Sequence, residues 1–470
     1  MVLNSLPFAA FFLIFLAFLL LLPKCFRKYW LLLGNLAFAY TWERWGPVLL
    51  LLSALMVWGC GLALEKHGRK RICLILPVAW NLLLLAVFRY SGLIRPLLLR
   101  AGISGMPGFR DLAAPLGLSF YTLRCIAYAA DIRRGTLPAV KDPVDVLAYV
   151  SFFPQLISGP IERPGKFFTE LAAFSEMPLR DLDRILRGFL LFVWGLFQKI
   201  VLAERLAMIT NFVFPRFEAF GFWEILGASF AYTLQIYCDF AGYSDMSRGV
   251  AVMAGFRTMR NFRQPYFAAG IKSFWRRWHI SLTSWLTDHI YIPLGGSRKG
   301  QLRKYLNIVL VFLVSGLWHG TTLNFIFWGM LHAAYQIAGD LWDRSGRRLP
   351  DPVRRIIMLL EVDFAWIFFN AGGLNRAFRI VRQMFSHFSV PFGNGTPVLS
   401  GGNWAVLFCG LAVLFVVDLL HEKGIAVQER AASLPLPVRW LLLLGLFWSV
   451  IMLGIYGVGY DTSGFIYARF

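Results

Sequence analysis

The stretch YLNIVLVFLVSGLWHGTTLNFIFWGMLHAAYQIAG, residues 305–339, contains no Asp, Glu, Lys or Arg. At roughly 20 residues per membrane-spanning helix, it suffices for two spanning segments or one interrupted hairpin. Its middle reads Ser315-Gly316-Leu317-Trp318-His319-Gly320, with Thr321, Thr322 and Asn324 after it. Glycines at 316 and 320 let a helix break or let backbones approach closely. A broken helix at membrane depth is tolerated only where it packs in protein or lines a cavity. His319 is therefore an ionisable side chain at membrane depth, where such residues are costly and mark a functional site by default. A neutral imidazole there can accept a proton from an attacking hydroxyl as a general base. The competing reading is a helix-packing histidine. His332, in the same run, fits a second polar contact or a packing residue equally well.

The rest of the chain sets this stretch in a membrane protein. Of 470 residues, 58% are hydrophobic and 16% charged, against about 25% charged in a soluble domain. Apolar stretches recur at 6–22, 29–42, 47–64, 72–88, 186–203, 223–241, 403–420 and 438–458, and shorter pieces near 115–130, 146–158 and 356–371 span, re-enter or pack internally. The expectation is an all-α polytopic membrane protein of about 10–12 transmembrane or re-entrant helices around a central broken-helix region, forming one domain, 1–470. The first stretch lacks a basic leader and a cleavage pattern, so it reads as a retained helix. Lys24, Arg27, Lys28, Lys66, Arg69, Lys70 and Arg71 follow the first and third apolar stretches. They place those loops on the cytosolic side. Arg89, Arg95 and Arg100 then suit a buried or re-entrant region. Six scattered cysteines suggest neither a disulfide framework nor a metal site.

The formal net charge is +21, which in a membrane protein reads as positive-inside bias rather than nucleic-acid binding. It concentrates in residues 239–304, where Arg248, Arg257, Arg260, Arg263, Lys272, Arg276, Arg277, Arg298, Lys299, Arg303 and Lys304 face only Asp239, Asp245 and Asp288. One reading is a loop on anionic lipid. The sharper one is a docking surface for something phosphorylated or acidic, such as a coenzyme A nucleotide or an acidic carrier protein. Within it, Trp275, Trp278, Leu282, Trp285 and His289 recur at helical spacing, predicting one amphipathic helix at the membrane interface. His279 lies beside that stripe and either caps the interface or lines a passage inward. Asp239 and Asp245 are expected to pair with arginines of the basic region and hold the core together.

The motifs PLGLSFYTLRCIAYAADIRRG (115–135), SFFPQLISGPIERP (151–164), QIYCDFAGYSDMSRG (235–249), FWRRWHISLTSWLTDHIYIPLGGSRKG (274–300), GLWHG (316–320) and the terminal FIYARF carry a resemblance over nearly the whole length. The chain resembles the membrane-bound O-acyltransferase (MBOAT) superfamily, in its bacterial AlgI-like branch of alginate-type and peptidoglycan O-acetyltransferases, with teichoic-acid D-alanyl transfer (DltB-like) proteins as close cousins. The resemblance implies that His319 is catalytic and that His279 is the second signature histidine, on or near the path to it. It implies an acyl thioester, acetyl-CoA or an acyl carrier, as substrate, with no tightly bound cofactor and no metal. Trp275, Arg276, Arg277, Trp278, Trp285, Asp288 and Trp318 are the candidates for the donor path. The implied activity moves an acetyl group from the cytosol to a cell-surface or secreted polysaccharide, in a multi-pass protein of the bacterial inner membrane. Membrane lipid and an extracytoplasmic acetyltransferase are the implied partners. The family's late pattern Trp-x-Phe-Phe-Arg-Ala reads Trp366-Ile367-Phe368-Phe369-Asn370-Ala371 here, so no role is carried to Asn370. D-alanyl transfer to teichoic acid is the nearest alternative. From other classes, a proton-coupled transporter would also explain a buried histidine and carboxylates, although the two halves show no matched interrupted segments, and a non-catalytic scaffold would tolerate loss of both histidines.

Overall fold

The structure, a computed structural model, describes residues 1–68, 70–92, 94, 115–178, 181–347, 349–388 and 398–456. Arg69, Arg95, Arg100 and the FIYARF motif lie outside them. Among the described residues the secondary structure is helical, without strands. Five helical runs among the described residues are long and apolar enough to cross a membrane: Gly46–Lys66, Arg71–Phe88, Leu182–Ala219, Gly401–Glu422 and Leu436–Leu453. Leu6–Leu21 is apolar but shorter. Large apolar side chains stand exposed on these elements, among them Leu6, Leu21, Leu441 and Met452. That is the surface a lipid solvent rewards and water penalises.

The chain forms two compact units, one of Met1–Phe189 with Ser247–Met259, the other of Leu190–Met246 with Arg260–Phe470. In the first, Ser5 caps helix Leu6–Leu21 by accepting from the Phe8 amide, and Phe8, Phe15 and Phe38 bury against Phe153. Helix Leu118–Arg134 is internal, with Tyr121, Arg124 and Tyr128 all but fully buried. The Arg124 guanidinium donates to the Tyr149 carbonyl at 3.2 Å and to Gln155 Oε1 at 3.1 Å. Glu162 accepts from the Met259 amide at 2.8 Å. The motifs at 115–135 and 151–164 thus meet through the buried Arg124–Gln155 hydrogen bond, and the short apolar pieces there pack internally.

In the second unit the charge-free run forms a hairpin. Helix Gln301–His319 and helix Leu323–Arg344 are joined by Gly320–Thr322, with Gly320 extended at φ −174°. Lys304 and Asp340, the charges that bound the run, pair with each other at its open end, where the Tyr305 hydroxyl also donates to Asp340 at 3.0 Å. His319 sits at the opposite end, about 22 Å away along the helix at 1.5 Å per residue. A Cβ on Gly316 would meet the carbonyl oxygen of Phe325, and one on Gly329 that of Phe312. Small residues are what allow this approach, as in membrane helix pairs generally. Gly329→Ala should therefore force the hairpin apart and cost about 1–3 kcal/mol, read as a lower melting temperature of the detergent-purified protein; an unchanged melting temperature would contradict the close contact.

One expectation is corrected here. The aromatic stripe at 275–289 is not one interfacial helix. It is a short helix Ile271–Trp275, a turn, a second helix Ile280–Leu286 and a wide π-type turn Thr287–Tyr291. Trp275, Trp278, Leu282 and Trp285 are buried in protein. The break lies at His279, whose backbone is left-handed at φ 43°, ψ 52°, and helical spacing in a sequence cannot reveal such a reversal. Asp239 meets a cation from outside the basic region, Lys199, at 2.5 Å. Lys199 lies in a second π-type turn, Phe197–Ala203, and also meets Glu204 at 3.1 Å.

Candidate active site

His319 ends its helix because Gly320 leaves helical conformation, although the Gly320 amide still reaches the Gly316 carbonyl at 3.2 Å. That N–H, one of those available at the glycine break to an oxyanion, is therefore engaged. The imidazole is 3% exposed. Three aromatic rings stand edge-on to it, Trp318 at 4.9 Å, Trp328 at 5.1 Å and Phe369 at 5.3 Å between ring centroids. Phe369 comes from helix Asp351–Asn370, and Phe325 closes on it at 5.0 Å. The Asn324 amide donates to the Phe368 carbonyl at 3.0 Å, fixing that helix to the hairpin tip.

His279 is 1% exposed. Its ring packs on Phe240 at 4.7 Å and on Trp318 at 5.8 Å. One indole, Trp318, thus touches both histidines, which lie 40 positions apart in sequence. A left-handed conformation at a non-glycine residue costs of order 1–3 kcal/mol and persists where the surroundings over-determine it. Here Asn261 does so. Its carbonyl accepts from the Ile280 amide at 2.9 Å, and its side-chain oxygen accepts from the Ser281 hydroxyl at 2.6 Å. The sequence reading passed over Asn261, since a lone Asn in a basic loop carries no periodic signal.

The remaining candidates divide. Trp275 packs against Trp328 at 5.8 Å and so belongs to the wall behind His319. Trp278 packs on Trp366 at 5.2 Å. Arg276 is exposed. Arg277 is held by Glu422 through two hydrogen bonds, 2.7 and 3.1 Å, the fork geometry of a structural guanidinium–carboxylate pair. Trp285 stacks on His289 at 4.6 Å, a local pair one turn apart, and Asp288 is half-buried in the π-type turn beside it. Around this element Arg260, Arg263, Lys272, Arg298, Lys299 and Arg303 are exposed, a basic face of the second unit that suits anionic partners.

A buried imidazole at a helix break can take a proton from a hydroxyl, and exposed cations on the same unit can attract a phosphorylated or acidic donor. Comparison with known proteins names such chemistry. Residues 111–378 match the profile described as "MBOAT, membrane-bound O-acyltransferase family". The chain is similar to the probable alginate O-acetylase AlgI of Pseudomonas fluorescens, 37% identical over 82% of this chain and 76% of that protein. It is also similar to the peptidoglycan O-acetyltransferase of Helicobacter pylori, 32% identical over 76% of this chain and 74% of that protein. The teichoic acid D-alanyltransferase of Bacillus subtilis is more distant, 26% identical over 55% of this chain and 68% of that protein.

Proposed function

The chain belongs to the membrane-bound O-acyltransferase family, and from that premise we propose that this multi-pass O-acyltransferase carries acetyl groups from a cytosolic thioester to an extracytoplasmic polysaccharide. The observation that carries this is the pair His279–His319 sharing the Trp318 ring at a broken, buried helix tip. His319 accepts the proton of the acceptor hydroxyl as that oxygen attacks the thioester carbonyl carbon. The C–S bond breaks, and the departing thiolate takes the proton back from the imidazolium. Backbone N–H groups near the break, or the Trp318 indole, steady the developing oxyanion. The basic face of Arg260, Arg263, Lys272, Arg298, Lys299 and Arg303 receives the donor's phosphates or an acidic carrier. No cofactor is retained between turnovers. The acceptor is an alginate-type exopolysaccharide or peptidoglycan, the chemistries named for the more similar relatives. Transfer to the polymer is completed with an extracytoplasmic acetyltransferase, and the site of action is the bacterial inner membrane.

The test supplies acetyl-labelled thioester to the cytosolic face of inverted membrane vesicles containing this chain and follows the label by mass spectrometry. Labelled O-acetyl ester on polymer, dependent on the chain, is the expected result. A parallel assay with D-alanyl-labelled thioester that alone yields polymer ester assigns the teichoic-acid chemistry instead, and unchanged acylation without the chain ends the proposal. Acetylation of polymer by the purified chain alone removes the need for a partner.

A further inference from the structure

Behind His319 lies a second cluster of buried polar atoms. His332 is 0% exposed, Trp328 0%, Trp366 1% and Trp275 7%. Trp328 and His332 stand one turn apart on helix Leu323–Arg344, Trp366 comes from helix Asp351–Asn370, and Trp275 ends helix Ile271–Trp275. The His332 ring centroid lies 4.9 Å from Trp275, 4.9 Å from Trp328 and 6.3 Å from Trp366. The same Trp328 ring also packs against the His319 imidazole, at 5.1 Å.

Both ring nitrogens of His332 and the indole nitrogens of Trp275, Trp328 and Trp366 lack a hydrogen-bond partner among the described residues. Buried polar groups in folded proteins are almost always paired, and each one left unmet costs about 1–3 kcal/mol. Five such nitrogens in one cluster call for a ligand that completes them. An indole only donates, and a neutral imidazole donates once and accepts once. The cluster therefore offers four donors and one acceptor. The other rings against His332 are apolar or phenolic, Phe312 at 6.0 Å and Tyr335 at 5.9 Å. Its ligand is a narrow, uncharged segment rich in acceptors, with a donor among them. A chain of secondary amides ending in a thioester has that pattern. Its carbonyls accept from the indoles, and an amide N–H donates to the imidazole. A sugar offers about as many hydroxyl donors as acceptors and fits it less well.

We propose that His332 and the indole N–H groups of Trp275, Trp328 and Trp366 hold the amide-bearing arm of the acyl donor, a role that rests on the thioester reading above and makes His332 a donor-positioning residue.

The test measures donor binding without turnover, in full-length detergent-purified protein carrying His319→Ala. Two probes are compared, acetyl-pantetheine with its two secondary amides and the S-acetyl ester of a simple alkanethiol with none. Adding His332→Phe should weaken the amide-bearing probe about ten-fold or more and leave the amide-free probe unchanged. The melting temperature should hold or rise, because unmet polar atoms are removed, and His332→Gln should recover part of the affinity. Equal loss for both probes, or a lower melting temperature with unchanged affinity, overturns the proposal and makes His332 a structural or water-holding residue. Selective loss of affinity for a sugar acceptor overturns it too. Failure of protein with His332 intact to bind acetyl-pantetheine is a different result: it removes the thioester-donor reading itself.

Discussion

Replacing His319 by alanine should lower the rate of acyl transfer by about 10²–10⁴-fold, the range that a positioned general base contributes. The geometry argues for a loss of rate rather than of fold. His319 is the last residue of its helix, and the rings around it pack on one another without it, Trp328 on Trp366 at 5.8 Å and Phe325 on Phe369 at 5.0 Å. The melting temperature should therefore change little while the O-acetyl content of the polymer, measured by mass spectrometry, falls to background. A variant retaining more than a tenth of wild-type transfer would show that the proton leaves by another route. The carrier and scaffold readings, which need no base at this position, would then regain weight.

Replacing Lys199 by methionine should unfold much of the second unit. Lys199 and Asp239 are each 2% exposed, and the ammonium meets the Asp239 carboxylate at 2.5 Å and Glu204 at 3.1 Å. Removing one member of a buried pair leaves an uncompensated charge and costs about 3–5 kcal/mol. Replacing both partners by apolar residues of similar size is often close to neutral. Lys199→Met alone should give a markedly lower melting temperature in detergent, and Lys199→Met with Asp239→Leu should recover most of it. If the single variant melts like wild type, the pair is not holding the helices together.

The two results probe different parts of the molecule, and they were unequally legible. His319 stood out because charge is absent for 35 positions around it, from 305 to 339, and composition alone reports that. The hairpin alternative was also present in the sequence, since Lys304 and Asp340 bound the run with opposite charges that the structure pairs. That Asp239 meets Lys199 was not legible, because eleven cations crowd residues 239–304 while Lys199 sits 40 positions earlier inside an apolar stretch. His279 was found by resemblance and by its place beside an aromatic stripe, but the stripe was read as one smooth helix. A left-handed residue costs little enough to hide in any sequence and is fixed by Asn261, a neighbour in space. Arg277 was read as a donor-path candidate, and its pairing with Glu422, 145 positions away, was not legible along the chain.

By itself, then, the sequence determined the membrane class, the helical architecture, the family and the titratable residue at the tip of the charge-free run. These follow from composition, periodicity and local motifs, which are properties of neighbours along the chain. Only the tertiary structure decided which charges are spent on each other, that one indole touches both histidines, and that Trp275, Trp328, Trp366 and His332 gather their polar atoms behind His319. Each of these depends on how helices distant in sequence are set side by side, and a buried polar group takes its partner from whichever element packing brings within about 3 Å.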